Sequence, residues 1–162
     1  MEERENMKSI WFYDTDLGKI GIAEEKGFIT DIIFGEYSAD FPAEERETPL
    51  IKEAYRQIDL YLKGKLREFD LPLYQQGTAF QEKVWNALRE IPYGETRSYK
   101  DIAVAIGNEK ATRAVGSANN KNSLPIVIPC HRVIGADGKL VGYGGGLNIK
   151  EFLLSFESSN KR

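Results

Sequence analysis

The 162-residue chain contains a single cysteine and a single histidine. One thiol closes no internal disulfide, so folding does not call for an oxidising compartment. One Cys and one His also fall short of the usual four-ligand zinc site, and no metal or other cofactor is expected. Long apolar runs are missing too: none approaches the ~20 residues of a membrane-spanning helix. The opening stretch MEERENMKSI is too charged for a secretory signal. These absences make a membrane partner unexpected and the cytoplasm the expected location. Hydrophobic residues are 41% and charged residues 29% of the chain, an ordinary globular balance that argues against disorder. The length suits one domain or two small ones.

Acidic charge is scarce in one half only. Residues 1–77 carry 10 Lys and Arg against 17 Asp and Glu, a net of −7. Residues 78–162 carry 12 against 8, a net of +4, so the whole chain is at −3. Ordinary surface variation gives such a split, and so does a basic half that meets a polyanion.

The patterning predicts an α+β fold. Ile10–Tyr13, Lys19–Ala23 and Phe28–Phe34 are β-branched and aromatic runs separated by turn residues, which predicts a small antiparallel sheet. Gly35 to Glu47 is polar and irregular. Thr48-Pro49 offers a cap with proline in the first turn, and apolar residues recur at helical spacing from Leu50 to Leu62 before Gly64. Leu66–Leu73 alternates loosely, as a strand would. The stretch 74–77 reads as a linker between domains 1–77 and 78–162. Beyond it, Thr78-Ala-Phe-Gln81 and Ser98-Tyr-Lys-Asp101 have the form of capping boxes. The second opens a short helix, Gly107-Asn108 turns the chain, and a helix rich in small residues follows from Lys110 to about Asn119. Helix, tight turn, helix is the outline of a helix-turn-helix, shared with many hairpins that bind nothing.

Both scarce residues lie together in Ser123-Leu-Pro-Ile-Val-Ile-Pro-Cys-His-Arg-Val-Ile134. Ile126–Ile128 reads as a short buried strand, and Pro129 aims Cys130 out of its end. A lone cysteine in apolar surroundings is commonly inert. Adjacent His131 changes the weighing, because a thiol with a pKa of about 8.5 needs a base or a positive field to become a nucleophile. Neighbours in extended chain point apart, so a water between sulfur and imidazole is the expected link. A carboxylate is needed to hold the ring, and Glu151 and Asp137 are both candidates. Glu151 begins a final helix whose inner face is read as Phe152, Leu153 and Phe156. The glycine-rich Val141–Leu147 reads as the wall of a flat-ligand pocket.

Pro129-Cys-His-Arg-Val133 matches the PCHRV motif of the methylated-DNA–protein-cysteine methyltransferases. Ile91-Pro-Tyr-Gly-Glu95, Ser98-Tyr99, Thr112-Arg-Ala-Val-Gly116, Asn122, the glycine-rich loop and Leu147–Leu154 resemble that family in order and spacing. The resemblance is close over residues 78–157. The first 77 residues are loosely similar to the family's variable N-terminal domain, which is ribonuclease H-like.

The resemblance implies repair of O6-alkylguanine in double-stranded DNA by base flipping and irreversible alkyl transfer to Cys130. O4-alkylthymine is an additional candidate substrate. It implies that His131 forms the thiolate through a water, that Glu151 orients His131, and that Asn122 braces the turn before the active-site strand. Tyr99 would rotate the nucleotide and protonate the base, while Arg113 would fill the vacated stack. Lys100, Asn108, Ala111, Gly116 and Ser117 would lie against DNA, and Val133, Tyr143, Gly144 and Gly145 would line the pocket. A monomer is expected. Two other classes compete with this reading. One is a lesion-binding module without chemistry; the other is a cysteine hydrolase, disfavoured by the poor direct geometry of adjacent Cys and His.

Overall fold

A computed structural model describes residues 7–35, 41–138 and 146–161. The chain divides into two compact units, Met1–Gln75 and Gln76–Arg162.

In the first unit, β1 (Lys8–Thr15), β2 (Gly18–Glu25) and β3 (Phe28–Phe34) form an antiparallel meander. A short β4 (Ala43–Glu45) adds to β1 in parallel, giving the order β3-β2-β1-β4. The sequence predicts the first three strands but not β4, which is too short and too acidic to signal. Leu73, read as part of a further strand, makes only an isolated bridge to Ile29. Helix α1 (Pro49–Leu62) starts where Thr48 accepts a hydrogen bond from the Ile51 amide, with proline in its first turn. It buries Ile51, Ala54, Ile58 and Tyr61, and its Tyr55 stacks on Tyr13 at 3.9 Å between ring centroids. Ile10, Ile20, Ile22 and Ile29 complete this core.

The second unit is helical. Helix α2 (Ala79–Arg89) opens with a full capping box, Thr78 and Gln81 each satisfying the other's backbone amide. Ser98 and Asp101 do the same for α3 (Tyr99–Ala105). Gly107, at φ +81°, turns the chain in a conformation that side-chain-bearing residues disfavour, and α4 (Thr112–Asn120) follows. Val115, Ala118 and Asn119 face inward from α4, and the Trp85 indole of α2 donates to the Ala118 carbonyl at 2.9 Å. A one-turn 3-10 helix (Cys130–Arg132) leads into β6 (Val133–Ile134), which pairs in parallel with β5 (Arg97–Ser98). Helix α5 (Leu147–Ser159) ends the unit. The α+β class and the helix-turn-helix stand as read from sequence.

Two expectations need correction. Ile126–Ile128 is a turn, not a strand. Prolines at 125 and 129 remove two backbone donors, and an apolar run of this length does not distinguish a strand from a buried loop. The short strand of the site lies after the cysteine, at β6. The inner face of α5 is also different. Lys150, Leu153 and Glu157 are buried, whereas Phe152 is 39% exposed. Spacings of three and four put two charged residues on the inner stripe, where a count of apolar residues alone would not place them.

No described helix is long and apolar enough to cross a membrane.

Candidate active site

The path from α4 to the cysteine is a clipped loop. The Asn122 side-chain amide donates to the Ile128 carbonyl at 2.9 Å, while its oxygen accepts from the Leu124 amide at 3.0 Å. The Ile128 amide closes the loop on the Leu124 carbonyl at 2.8 Å. Inside it, Ile126 adopts φ +73° with its side chain 1% exposed. Such an angle is strained for a β-branched residue and persists only where the surroundings enforce it. Asn122 thus ties the end of α4 to the turn that precedes Cys130.

Cys130 opens the 3-10 turn and is buried. Burial raises its pKa from an ordinary value near 9 to about 11, against the lowering pull of a hydrogen bond from Asn122 and of the Lys150 ammonium. The thiol therefore rests protonated at neutral pH. Lys150 is completely buried and donates to the Val133 carbonyl at 2.6 Å. Its Nζ lies 5.9 Å from the centre of the Tyr99 ring. Burial lowers its pKa to about 8, opposed by attraction to Cys130. Tyr99 is raised, by burial first and by the neighbouring Cys130 second, so its hydroxyl keeps its proton. Tyr99, Cys130 and Lys150 form one cluster, and Val133 joins it through its backbone.

His131 is fully buried, with Nε2 2.7 Å from Oε2 of Glu157. This corrects the expected partner: Glu151 lies on the exposed side of α5 and Glu157 on the inner side. The same Glu157 accepts two hydrogen bonds from Arg132, at 2.8 and 2.9 Å, while a third from Arg132 reaches the Ile91 carbonyl at 2.7 Å. Burial alone would raise the Glu157 pKa, but hydrogen bonds from His131 and Arg132 outweigh it and hold the group well below the usual carboxylate range. A permanent anion at Nε2 fixes the ring hydrogen there and leaves Nδ1 as an acceptor. Burial lowers the His131 pKa, so the imidazole is neutral and available as a base.

Helix α4 presents Arg113 and Ser117 to solvent, and Lys100 and Asn108 are exposed on and after α3. Ala111 and Gly116 are half-buried, and a β-carbon at Gly116 would lie 3.8 Å from the Tyr99 ring. Helix α4 also meets the cysteine from within, its Asn119 amide lying 3.4 Å from the Cys130 carbonyl. Tyr143, Gly144 and Gly145 lie outside the described residues. Sequence reading missed Lys150, Glu157, Arg132 and Asn119. The spacing of Lys150, Leu153 and Glu157 at three and four was the available signal, since it aligns them on one helical stripe.

The 6-O-methylguanine DNA methyltransferase DNA binding domain family matches residues 79–159, and the ribonuclease-like domain family of the same enzymes matches residues 11–75. The chain is 53% identical over 157 residues to a methylated-DNA–protein-cysteine methyltransferase of Methanosarcina barkeri, covering 93% of this chain and 99% of that one. It is 50% identical over 151 residues to the constitutive enzyme of that name from Bacillus subtilis, covering 89% and 92%. The crystal structure of Mycobacterium tuberculosis OGT in complex with DNA superposes with a TM-score of 0.85 at 43% identity, over 94% of each chain. A buried thiol next in chain to a carboxylate-held imidazole, in a unit that carries a helix-turn-helix, and half identity along nearly the full length make this chain a member of the methylated-DNA–protein-cysteine methyltransferase family.

Proposed function

We propose that the protein repairs O6-alkylguanine in double-stranded DNA by moving the alkyl group onto its own Cys130, once per molecule. The observation that carries this reading is the buried Cys130 thiol set next in chain to a buried His131 whose Nε2 is held by Glu157. A thiol that rests protonated needs a base, and an imidazole tied at Nε2 to an anion is the base at hand.

The alkyl carbon on O6 is inaccessible inside a duplex, so the base must leave the stack. Arg113, exposed in the first turn of α4, would fill the gap, offsetting part of an unstacking cost of a few kcal/mol. Lys100, Asn108, Ala111, Gly116 and Ser117 would meet the backbone and groove, with phosphate contacts dominating because lesions occur in any sequence. With the base inside, the Cys130 proton passes through a water to Nδ1 of His131. The thiolate attacks the alkyl carbon, a C–S bond forms and the C–O bond breaks with its electron pair on the guanine. Tyr99 supplies a proton to the departing base, and the proton taken by His131 replaces it. Lys150 lowers the cost of the transient negative charge on sulfur. The thioether has no leaving group of its own, so the molecule is spent.

In this reading residues 78–162 bind DNA and accept the alkyl group, residues 1–77 form the ribonuclease H-like domain, and the protein acts as a cytoplasmic monomer. O4-alkylthymine is a secondary substrate to test in the same assay. The protein is incubated with duplex DNA carrying O6-methylguanine and the Cys130 peptide is mapped by mass spectrometry. One methyl per molecule on Cys130, and none on a Cys130→Ala variant, is the expected result. Methyl on another residue, or repeated turnover, overturns the mechanism; binding without transfer identifies a lesion-binding module instead.

A further inference from the structure

Among the described residues, two buried side-chain atoms have no hydrogen-bond partner: Nδ1 of His131 and Oδ1 of Asn119. The side chains that carry them are linked through the Cys130–His131 peptide unit. Asn119 is 2% exposed and its amide nitrogen lies 3.4 Å from the Cys130 carbonyl, the oxygen of the peptide bond that joins Cys130 to His131. The His131 ring is fully buried and its Nε2 is committed to Glu157. Unpaired buried acceptors are costly, so two of them on side chains that adjoin the Cys130–His131 peptide unit require an explanation. The Asn119 oxygen is an acceptor by its chemistry, and Nδ1 is one in the tautomer that Glu157 imposes. A single donor with two hydrogens would satisfy both, and water is the smallest such donor.

We propose that Asn119 is a positioning residue for the proton relay, with Oδ1 fixing the orientation of the water that links Cys130 to His131. The inference rests on the alkyl-transfer reading above and adds a residue to it. A water that gives one hydrogen to Asn119 and the other to Nδ1 has only its lone pairs left for the thiol. It is then arranged to accept the Cys130 proton as it passes its own to His131, so the S–H bond breaks, a new O–H bond forms, and an N–H bond forms on Nδ1. Without Asn119 the same water is free to rotate, and arrangements in which it donates to sulfur compete with the productive one. Asn119 also sits on α4, the helix whose exposed face the proposed function sets against DNA, so the orienting group and that surface share one element.

The experiment uses full-length protein with Asn119→Leu, which keeps the volume and removes both the oxygen and the amide nitrogen near the Cys130 carbonyl, and Asn119→Ser, which keeps a hydroxyl that can donate and accept. Single-turnover methyl transfer from O6-methylguanine duplex is followed from pH 6 to pH 10, alongside duplex affinity and thermal melting. Asn119→Leu is expected to slow transfer about tenfold or more at neutral pH, a modest share of what a well-placed relay contributes. Its rate should rise more steeply toward alkaline pH, where the thiol ionises without help. Affinity for DNA should not change, and Asn119→Ser should recover part of the rate. A Leu variant with the wild-type rate and pH profile overturns the inference, as does a high-resolution crystal structure with no water between Oδ1 and Nδ1. If Asn119→Leu fails to fold, the crystal structure and the Ser variant's pH profile decide. Failure of the wild-type protein to methylate Cys130 would count against the alkyl-transfer reading itself.

Discussion

Glu157 and Glu151 are six positions apart on one helix, and the difference in their surroundings decides their roles. Glu157→Gln removes the anion from His131 and leaves the buried Arg132 without its charge partner. Transfer should slow on the order of 10–100-fold, and stability should drop by about 3 kcal/mol, the usual consequence of breaking a buried pair. Glu151→Gln should change neither quantity. Equal loss in the two variants, read by single-turnover transfer and thermal melting, would show that the carboxylate on α5 acts only through folding. Cys130 gives a second test. The folded thiol ionises near 11 and the unfolded thiol near 9, so between those values the unfolded chain binds fewer protons and stability falls as pH rises. Wild type should lose about 2 kcal/mol more than Cys130→Ala between pH 8.5 and 11 in denaturant titrations. Lys150 works in the opposite direction, held near 8 when folded, which is why the comparison with the alanine variant is needed. The residues visible in sequence at this scale were those whose rarity or motif marks them, Cys130 and His131 above all. Glu157 and Lys150 were not, because a charged residue on a helix looks the same in sequence whether it faces water or a buried partner.

At the scale of elements, caps and turns were legible because their chemistry is local. Thr78 with Gln81, and Ser98 with Asp101, form the boxes their spacing predicts. The turn at 126–128 was not legible. What bends it is Asn122, reaching six residues ahead to a carbonyl, and hydrophobicity carries no trace of that bond. Gly77 tests how tightly α2 is seated. A β-carbon there would lie 2.5 Å from the Trp85 ring and 2.6 Å from the Gln81 side chain that completes the capping box. Gly77→Ala should lower stability by about 1–3 kcal/mol through overpacking. A melting curve that overlays wild type would mean that the Trp85 indole, bonded to Ala118, moves aside without penalty.

For the whole molecule, charge is the quantity that composition reveals and topology does not. A chain at −3 that meets a polyanion must do so through local excess. Lys100, Lys110, Arg113 and Lys121 are exposed on and around α3 and α4. Duplex affinity should therefore fall linearly on a log–log plot against salt. Replacing Lys100 and Lys110 together by alanine should flatten that slope by about two and weaken damaged and undamaged DNA alike. An unchanged slope would move the phosphate contacts elsewhere. The division into an acidic, sheet-bearing half and a more basic, helical half was readable from the sequence. The meeting of α5, the Cys-His-Arg turn and Gly94 at one buried carboxylate was not, since those pieces are separated by tens of residues.

The loop that carries Ile126 in a left-handed conformation has one more consequence. Its form is imposed by neighbours instead of by its own residues, so its mutational tolerance should be the reverse of what irregular chain usually shows. Exchanges that helices absorb freely would here re-aim the sulfur that follows. In a library of random substitutions, the seven positions from Asn122 to Ile128 should stay nearly as invariant among functional clones as the nucleophile itself.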